Sequence, residues 1–587
     1  MEKMNSSEPT LTPFRRFINL LKPDKNEIYS IYLYAVFNGL VNLSLPLGIQ
    51  AIVNLITGGE VSTAWIILVI VVITGILVTG ILQVMQLSIS ENLQQKLFVK
   101  SAFEFAYRIP RMKLESVDKF YLPEMTNRFF DTLSIQKGLG KILIDFSSSS
   151  FQIIFGLLLL SFYHPFFILF SVLLILITFL IIHYSGPEGL KASLKESKFK
   201  YEVAHWLQEL ARTLETFKLA GNTRLPLDRT NNLVTNYLGA RKKHFRILVS
   251  QFFSLIVFKV LVAAGLLILG GLLVINGQMN IGQFVAAEII IILVIASIEK
   301  LIQTIEAIYD VLTAIEKIGT VTDIPLENEK GYQFTEEERS HGIAIELKSL
   351  SFRFEGPASE VLRNINLKIR PSEKISVSGF SGSGKTMLLQ LLAGLYEDYQ
   401  GSITYNNIPL SNIDLSSLRS ITGDSLFKED IFRGTLRENI SMGNENINLN
   451  EIQRIVELVG LSDFVKSCRE GYDAILEPEG KKLPKSVTSK IKLARALVGN
   501  PNLILLEDHF TLLEKDDTDR IMNYLTDKSN KSTVITVTND PKLASKSDRV
   551  LVLNKGEMMD CGSFNQLSNK DWFKQIFKLE SDVEYHA

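Results

Sequence analysis

A β-branched run, Lys374-Ile-Ser-Val-Ser378, leads into Gly379-Phe-Ser-Gly-Ser-Gly-Lys385-Thr386, and a helix-forming run from Met387 to Leu395 follows. The spacing G-x-x-x-x-G-K-[ST] between a strand and a helix is that of a phosphate-binding loop. Gly379, Gly382 and Gly384, with Ser381 and Ser383 between them, let backbone N–H groups turn inward around an anion. The helix N-terminus behind them adds the positive end of its dipole. Lys385 is placed to reach the β- and γ-phosphates of a nucleotide, and Thr386 to bind Mg2+. This is the strongest chemical signal in the chain, and it predicts a nucleotide and Mg2+ as ligands.

The loop needs a sheet to carry it. From Ile343 onward, short β-branched strands alternate with helical patterns, as in an α/β domain built around a largely parallel sheet. Residues 343–575 are read as that domain and 576–587 as a tail, while the polar run 326–342 reads as a linker. Upstream, charge disappears. No Asp, Glu, Lys or Arg occurs in 28–59, 61–90 or 146–187, and only Lys259 interrupts 247–287. Crossing a bilayer takes ~20 largely apolar residues. Six spans are predicted near 28–53, 61–88, 143–162, 165–184, 247–275 and 282–305, within a membrane domain of residues 28–325. The connections 91–141 and 190–246 carry 9 and 12 Lys or Arg residues, whereas the short ones carry none. The positive-inside rule therefore predicts that the long connections and both termini are cytoplasmic. Helical periodicity through 93–106 and 203–218 predicts that the spans continue well beyond the membrane. Residues 1–27 are read as a cytoplasmic segment, with 14–22 as an amphipathic helix on the membrane surface.

The 587-residue chain holds 62 basic and 63 acidic side chains. That balance offers no electrostatic reason for a nucleic-acid partner. Cys468 and Cys561 have neither disulfide-framework nor metal-ligand spacing. Lys259 and Glu288 fall within or near the last two spans, either facing a substrate path, singly or as a pair, or snorkelling to an interface.

With these pieces in order, the chain resembles an ABC transporter half-molecule of the exporter type over nearly its whole length. The resemblance implies an all-α six-helix transmembrane domain followed by an α/β nucleotide-binding domain. Phe354, in Phe352-Arg-Phe354, sits where that family stacks adenine. Leu418-Arg419 and Gly434-Thr-Leu-Arg-Glu-Asn-Ile440 resemble the flanks of the glutamine loop. Leu493-Ala-Arg-Ala-Leu497 resembles the helix after the signature, and Leu503-Ile-Leu-Leu506 the strand before the Walker B acids. By position, Tyr121–Phe130 and Trp206–Ala220 resemble the segments that carry coupling helices.

Several motifs depart from the family pattern. No glutamine occurs between Ile421 and Phe432, where Phe427 or Lys428 takes its approximate place. The signature reads Leu483-Pro-Lys-Ser-Val487, so Lys485 and Ser486 stand for two glycines. Lys485 either compensates with its own charge or is an ordinary solvated lysine. The Walker B pair is reversed to Glu507-Asp508, which implies Glu507 for hydrated Mg2+ and Asp508 for the attacking water. Asn539 replaces the histidine that contacts the γ-phosphate, and it cannot carry that residue's positive charge. The expectation is a dimer with a second half-transporter, identical or not, in a lipid bilayer. It would couple slow ATP hydrolysis to export of an unidentified substrate. The alternative is a subunit that binds ATP without useful turnover and regulates or scaffolds a membrane complex. The absence of an organelle-type presequence favours a bacterial plasma membrane.

Overall fold

The computed structural model describes residues 12–59, 63–118, 120–355, 360–426, 430–507 and 510–578. They form two units. One comprises residues up to 110 together with 120–324, and the other comprises 111–119 with the chain from 325 onward.

The first unit is helical throughout. Lys25–Asn42 and Ser44–Thr57 are separate helices. They part at Leu43 because Pro46 has no N–H to offer Asn42 and its ring crowds that carbonyl. Thr63–Arg108 follows as one helix of 46 residues. At 1.5 Å per residue it is about 70 Å long, far more than the ~30 Å of a hydrocarbon core. Pro165–Arg212, Leu225–Ile275 and Ile281–Thr322 are comparably long, so the predicted helical extensions are present. His164 caps the first of these by accepting from Phe166 N–H at 3.2 Å. An Asn280–Gln283 capping box starts the last.

Ile281–Thr322 is the most buried helix, and the interior assembles around it. Ile290, Ile291, Val294 and Ile298 meet Leu157 and Leu160 of the helix Ser147–Ser161. Small residues let the helices close up: a Cβ on Gly156 would lie 2.8 Å from Val294, and one on Gly48 only 2.1 Å from Val72. The outward faces are the reverse of a soluble protein's. Ile66, Ile67, Ile70, Ile73 and Leu77 are all more than half exposed along one helix, a stripe that only hydrocarbon solvates well. Among the described residues, five helices are long and apolar enough to cross a membrane, and Pro165–Leu180 forms a shorter apolar stretch of its own helix. The protein is an integral membrane protein.

Two details differ from expectation. Lys259 pairs with Glu299, on the neighbouring helix, and not with Glu288. The amphipathic helix Pro13–Leu21 exists, but Phe17 and Leu20 pack on Leu97, Val311 and Ile315, while Arg16 pairs with Asp323. Phe14 and Ile18 are its exposed apolar residues.

The second unit contains a six-stranded sheet in the order 557–562, 549–554, 374–379, 533–537, 503–506, 422–425. All neighbours are parallel except the first pair. A four-stranded antiparallel sheet, 362–369, 345–352, 400–405 and 408–409, packs with it around one apolar core. A second core gathers helices Leu449–Leu458, Lys485–Leu497 and Lys515–Thr526. Residues 326–342 do not hang free. Phe334 is buried in the first core, Tyr332 N–H donates to Asn412 C=O at 2.7 Å, and Arg419 grips Glu327 at 2.6 and 2.9 Å.

Candidate nucleotide-binding site

The strand Lys374–Gly379 is buried along its whole length, so its end is rigid. The loop turns there and enters the helix Lys385–Leu392. Gly384, the residue before that helix, has φ 96°, and a Cβ would lie 2.7 Å from Leu362 and 2.9 Å from Val361 C=O. Only glycine fits both constraints. Gly382 also has positive φ, with open space around it.

Lys385 curls back into the loop. Its ammonium donates to the carbonyls of Gly379 and Phe380, each at 2.8 Å, and to Ser383 Oγ at 3.4 Å. Burial pushes its pKa down, opposed by the charge of Glu507. A partly desolvated cation held by neutral carbonyls gains when a phosphate replaces them.

Thr386 Oγ1 donates to Glu507 Oε1, which joins the head of the helix to the end of the strand Leu503–Leu506. A hydroxyl and a carboxylate in contact are hard oxygen donors of the kind Mg2+ takes, so the pair fits the ion. Bound there, Mg2+ would neutralise phosphate charge. Thr386→Val should leave Mg2+-free nucleotide binding nearly unchanged. It should raise the Mg2+ concentration needed for half-maximal thermal stabilisation by ATP about tenfold; an unchanged Mg2+ requirement would remove Thr386 from the ion's coordination.

Asn539 lies beside the loop but faces its base. Its Oδ1 accepts from Gly379 N–H and its Nδ2 donates to Gly379 C=O, both at 3.2 Å. Its amide therefore braces the start of the loop, a role that the expected reach toward a γ-phosphate did not include. Phe354 is 38% exposed and meets Phe352 and Tyr396 edge-on at 5.2 and 6.0 Å. It lines a cavity of about 350 Å3 with Glu115, Asp118 and Tyr396, an open aromatic surface on which a base can stack.

Glu115 and Asp118 escaped the sequence reading. Asp118 accepts from Tyr396 Oη at 3.2 Å, and burial together with that carboxylate raises the tyrosine's pKa. Glu115 accepts from the N–H groups of Glu397 and Asp398. The segment that joins the nucleotide unit is thus 111–119, whereas 121–130 belongs to the helical unit. A short polar run flanked by helical pattern carries no local sign of that attachment.

Lys485 and Ser486 open the helix Lys485–Leu497, with Pro484 at the cap and no capping side chain. Within one chain nothing described joins them to the phosphate loop. Deeper in that helix, Lys490 pairs with Asp517 at 2.5 Å, and Arg495 donates to Asn439 C=O at 2.9 Å. Asp508, Phe427 and Lys428 lie outside the described residues.

A phosphate loop on a parallel sheet, with a helical membrane unit in the same chain, defines a membrane-bound nucleotide-binding protein. Residues 28–298 match the ABC transporter transmembrane region and residues 362–511 match the ABC transporter family itself. The chain belongs to the ABC transporters, with both parts fused in one polypeptide. It is 29% identical over 306 residues to the leukotoxin translocation ATP-binding protein LktB of Pasteurella haemolytica-like sp. (strain 5943B), covering 52% of this chain and 43% of that protein. It is 30% identical over 291 residues to LktB of Mannheimia haemolytica, covering 50% of this chain and 41% of that one. The matches therefore span less than half the length of these relatives. Among solved structures, that of a bacterial Atm1-family ABC exporter with ATP bound has the same fold, with TM-score 0.78 and 16% identity. That match covers 96% of this chain and 99% of the other.

Proposed function

We propose that this chain is half of an ATP-driven exporter that works as a dimer in a bacterial plasma membrane. It would have six spans and both termini in the cytoplasm. The observation that carries the reading is the phosphate loop with Lys385 held inside it and the Thr386–Glu507 pair at its mouth. In this reading ATP binds with Mg2+ at that pair and its base stacks on Phe354. Asp508 orients the attacking water.

Two features support the dimer. The helix start at Lys485 and Ser486 has no capping side chain and, among the described residues, meets no phosphate loop of its own chain. The connection around Leu214–Leu219 exposes Leu214, Leu219, Leu225 and Leu227, an apolar tip suited to dock on a second half-transporter. Slow turnover is expected. The Asn539 amide is already committed to Gly379, so charge developing on the phosphate is poorly neutralised. The same commitment favours, as a second reading, a subunit that binds ATP without useful turnover.

Phosphate release by the purified chain in lipid, beside Asp508→Asn, separates the two. An exporter half should hydrolyse ATP slowly, and the variant should lose at least ~100-fold of that rate while still binding ATP. Tight ATP binding with no release by either protein would sink the exporter reading and leave the regulatory one.

A further inference from the structure

A second cavity, of about 310 Å3, opens among the helices of the helical unit, with Gln83, Leu87 and Lys300 on its exposed side. Its walls come from Lys25–Asn42, Thr63–Arg108, the turn and helix 141–161, and Ile281–Thr322. All four include residues predicted to lie in the membrane. Nothing in the sequence reading pointed to it. Its lining is unlike the apolar stripes around it: one carboxylate, Asp145, one ammonium, Lys300, and otherwise mostly amides and hydroxyls, among them Asn38, Gln86, Ser148 and Gln152.

Polar groups at bilayer depth are costly unless something satisfies them. Here they are only partly satisfied. Gln86 is fully buried and donates to Ile31 C=O at 3.0 Å, but its Oε1 has no partner. Ser148 Oγ is likewise buried and unpartnered. Among the described residues, the side chains of Asp145 and Lys300 have no ion-pair or hydrogen-bond partner either. Lys259 and Glu299, by contrast, satisfy each other nearby. Asp145 stands on a π-helical turn, Lys141–Phe146. Such turns interrupt a helix's side-chain register and are frequent at functional sites.

We propose that this cavity binds a small zwitterion bearing a primary ammonium and a phosphate. The charges select it: one carboxylate and one ammonium complement a ligand that carries both signs. The ammonium would donate to Asp145 and the acidic group would accept from Lys300. Gln86 Oε1 and Ser148 Oγ would take the remaining polar atoms. Among the described residues no aromatic ring lines the cavity, so a quaternary ammonium would find neither a cation–π cage nor a use for the hydrogen-bond acceptors. The volume is at the small end for ligand sites, enough for an amino-acid-sized molecule or a lipid headgroup. This assignment rests on the exporter reading and names the substrate class for it.

The test uses the full chain in phosphatidylcholine nanodiscs without nucleotide, with thermal stabilisation as the readout of binding. O-phosphoethanolamine and dihexanoyl-phosphatidylethanolamine are titrated beside O-phosphocholine. A saturable shift with O-phosphoethanolamine supports a soluble zwitterion, and a shift with the lipid alone supports a headgroup. In either case Asp145→Asn and Lys300→Gln, on separate helices, should each weaken binding about tenfold or more. Lys385→Ala should not, so a failed phosphate loop and a failed cavity give different results. No shift with either ethanolamine probe overturns the proposal. So does an equal response to O-phosphocholine, or affinity unchanged in both cavity variants.

Discussion

Replacing Lys385 with alanine should weaken ATP binding by about a hundredfold or more, measured by equilibrium binding to the chain in lipid. Charge-assisted hydrogen bonds to phosphate oxygens are worth roughly 1.5–3 kcal/mol each, and the ammonium can supply two. The loop itself should survive. Lys385 is one of several ties within it, and Gly379 remains held by Asn539 on both backbone groups. The thermal transition without nucleotide should therefore barely move, while stabilisation by ATP disappears. If Lys385→Ala instead bound ATP normally, the phosphates would have to be held by backbone N–H groups and the helix dipole alone.

The largest stability effect expected is at Gly423, on the strand 422–425. A Cβ there would sit 1.8 Å from Ala496 C=O and 2.7 Å from Pro501. Neither is the loose end of a side chain. Ala496 lies near the end of the helix Lys485–Leu497, and Gly423 pairs in parallel with Ile504 on the other side. A valine must drive helix and sheet apart, at a cost of about 3 kcal/mol or more. For a domain of this size that is a fall of roughly 6–12 °C in Tm, readable by calorimetry of the nucleotide-binding unit's transition. Gly239→Ala is the control, because a Cβ there meets nothing within 4 Å and should leave stability unchanged or slightly higher. Equal transitions for Gly423→Val and Gly239→Ala would mean that strand and helix separate without cost.

Much of the site was legible because its parts are contiguous in the chain. Gly379 to Thr386 is one short stretch of backbone, and a run of eight residues specifies its conformation. The long apolar stretches are equally local, since a helix in hydrocarbon satisfies its own hydrogen bonds and needs only enough non-polar residues in a row. The partner of Lys259 was not legible. Glu288 and Glu299 are both on the last long helix, and which one meets Lys259 depends on how two helices are rotated and offset. The same is true of Asn539, 160 residues from the glycine it braces. Its type suggested a hydrogen bond, but the direction of that bond belongs to the sheet.

The polar cavity marks the boundary most sharply. Asn38, Gln86, Asp145 and Lys300 are scattered over more than 260 positions, and each alone reads as an ordinary polar residue within a span. Local order in the chain was sufficient for the phosphate loop, the membrane helices and the alternation of strand and helix, because each is stabilised by neighbours within one element. Packing alone selected which polar side chains share a space, which acid answers Lys259 and where residues 111–119 attach. Those outcomes depend on helix rotation, the π-turn at 141–146 and contacts between distant segments, and no short stretch of residues encodes them.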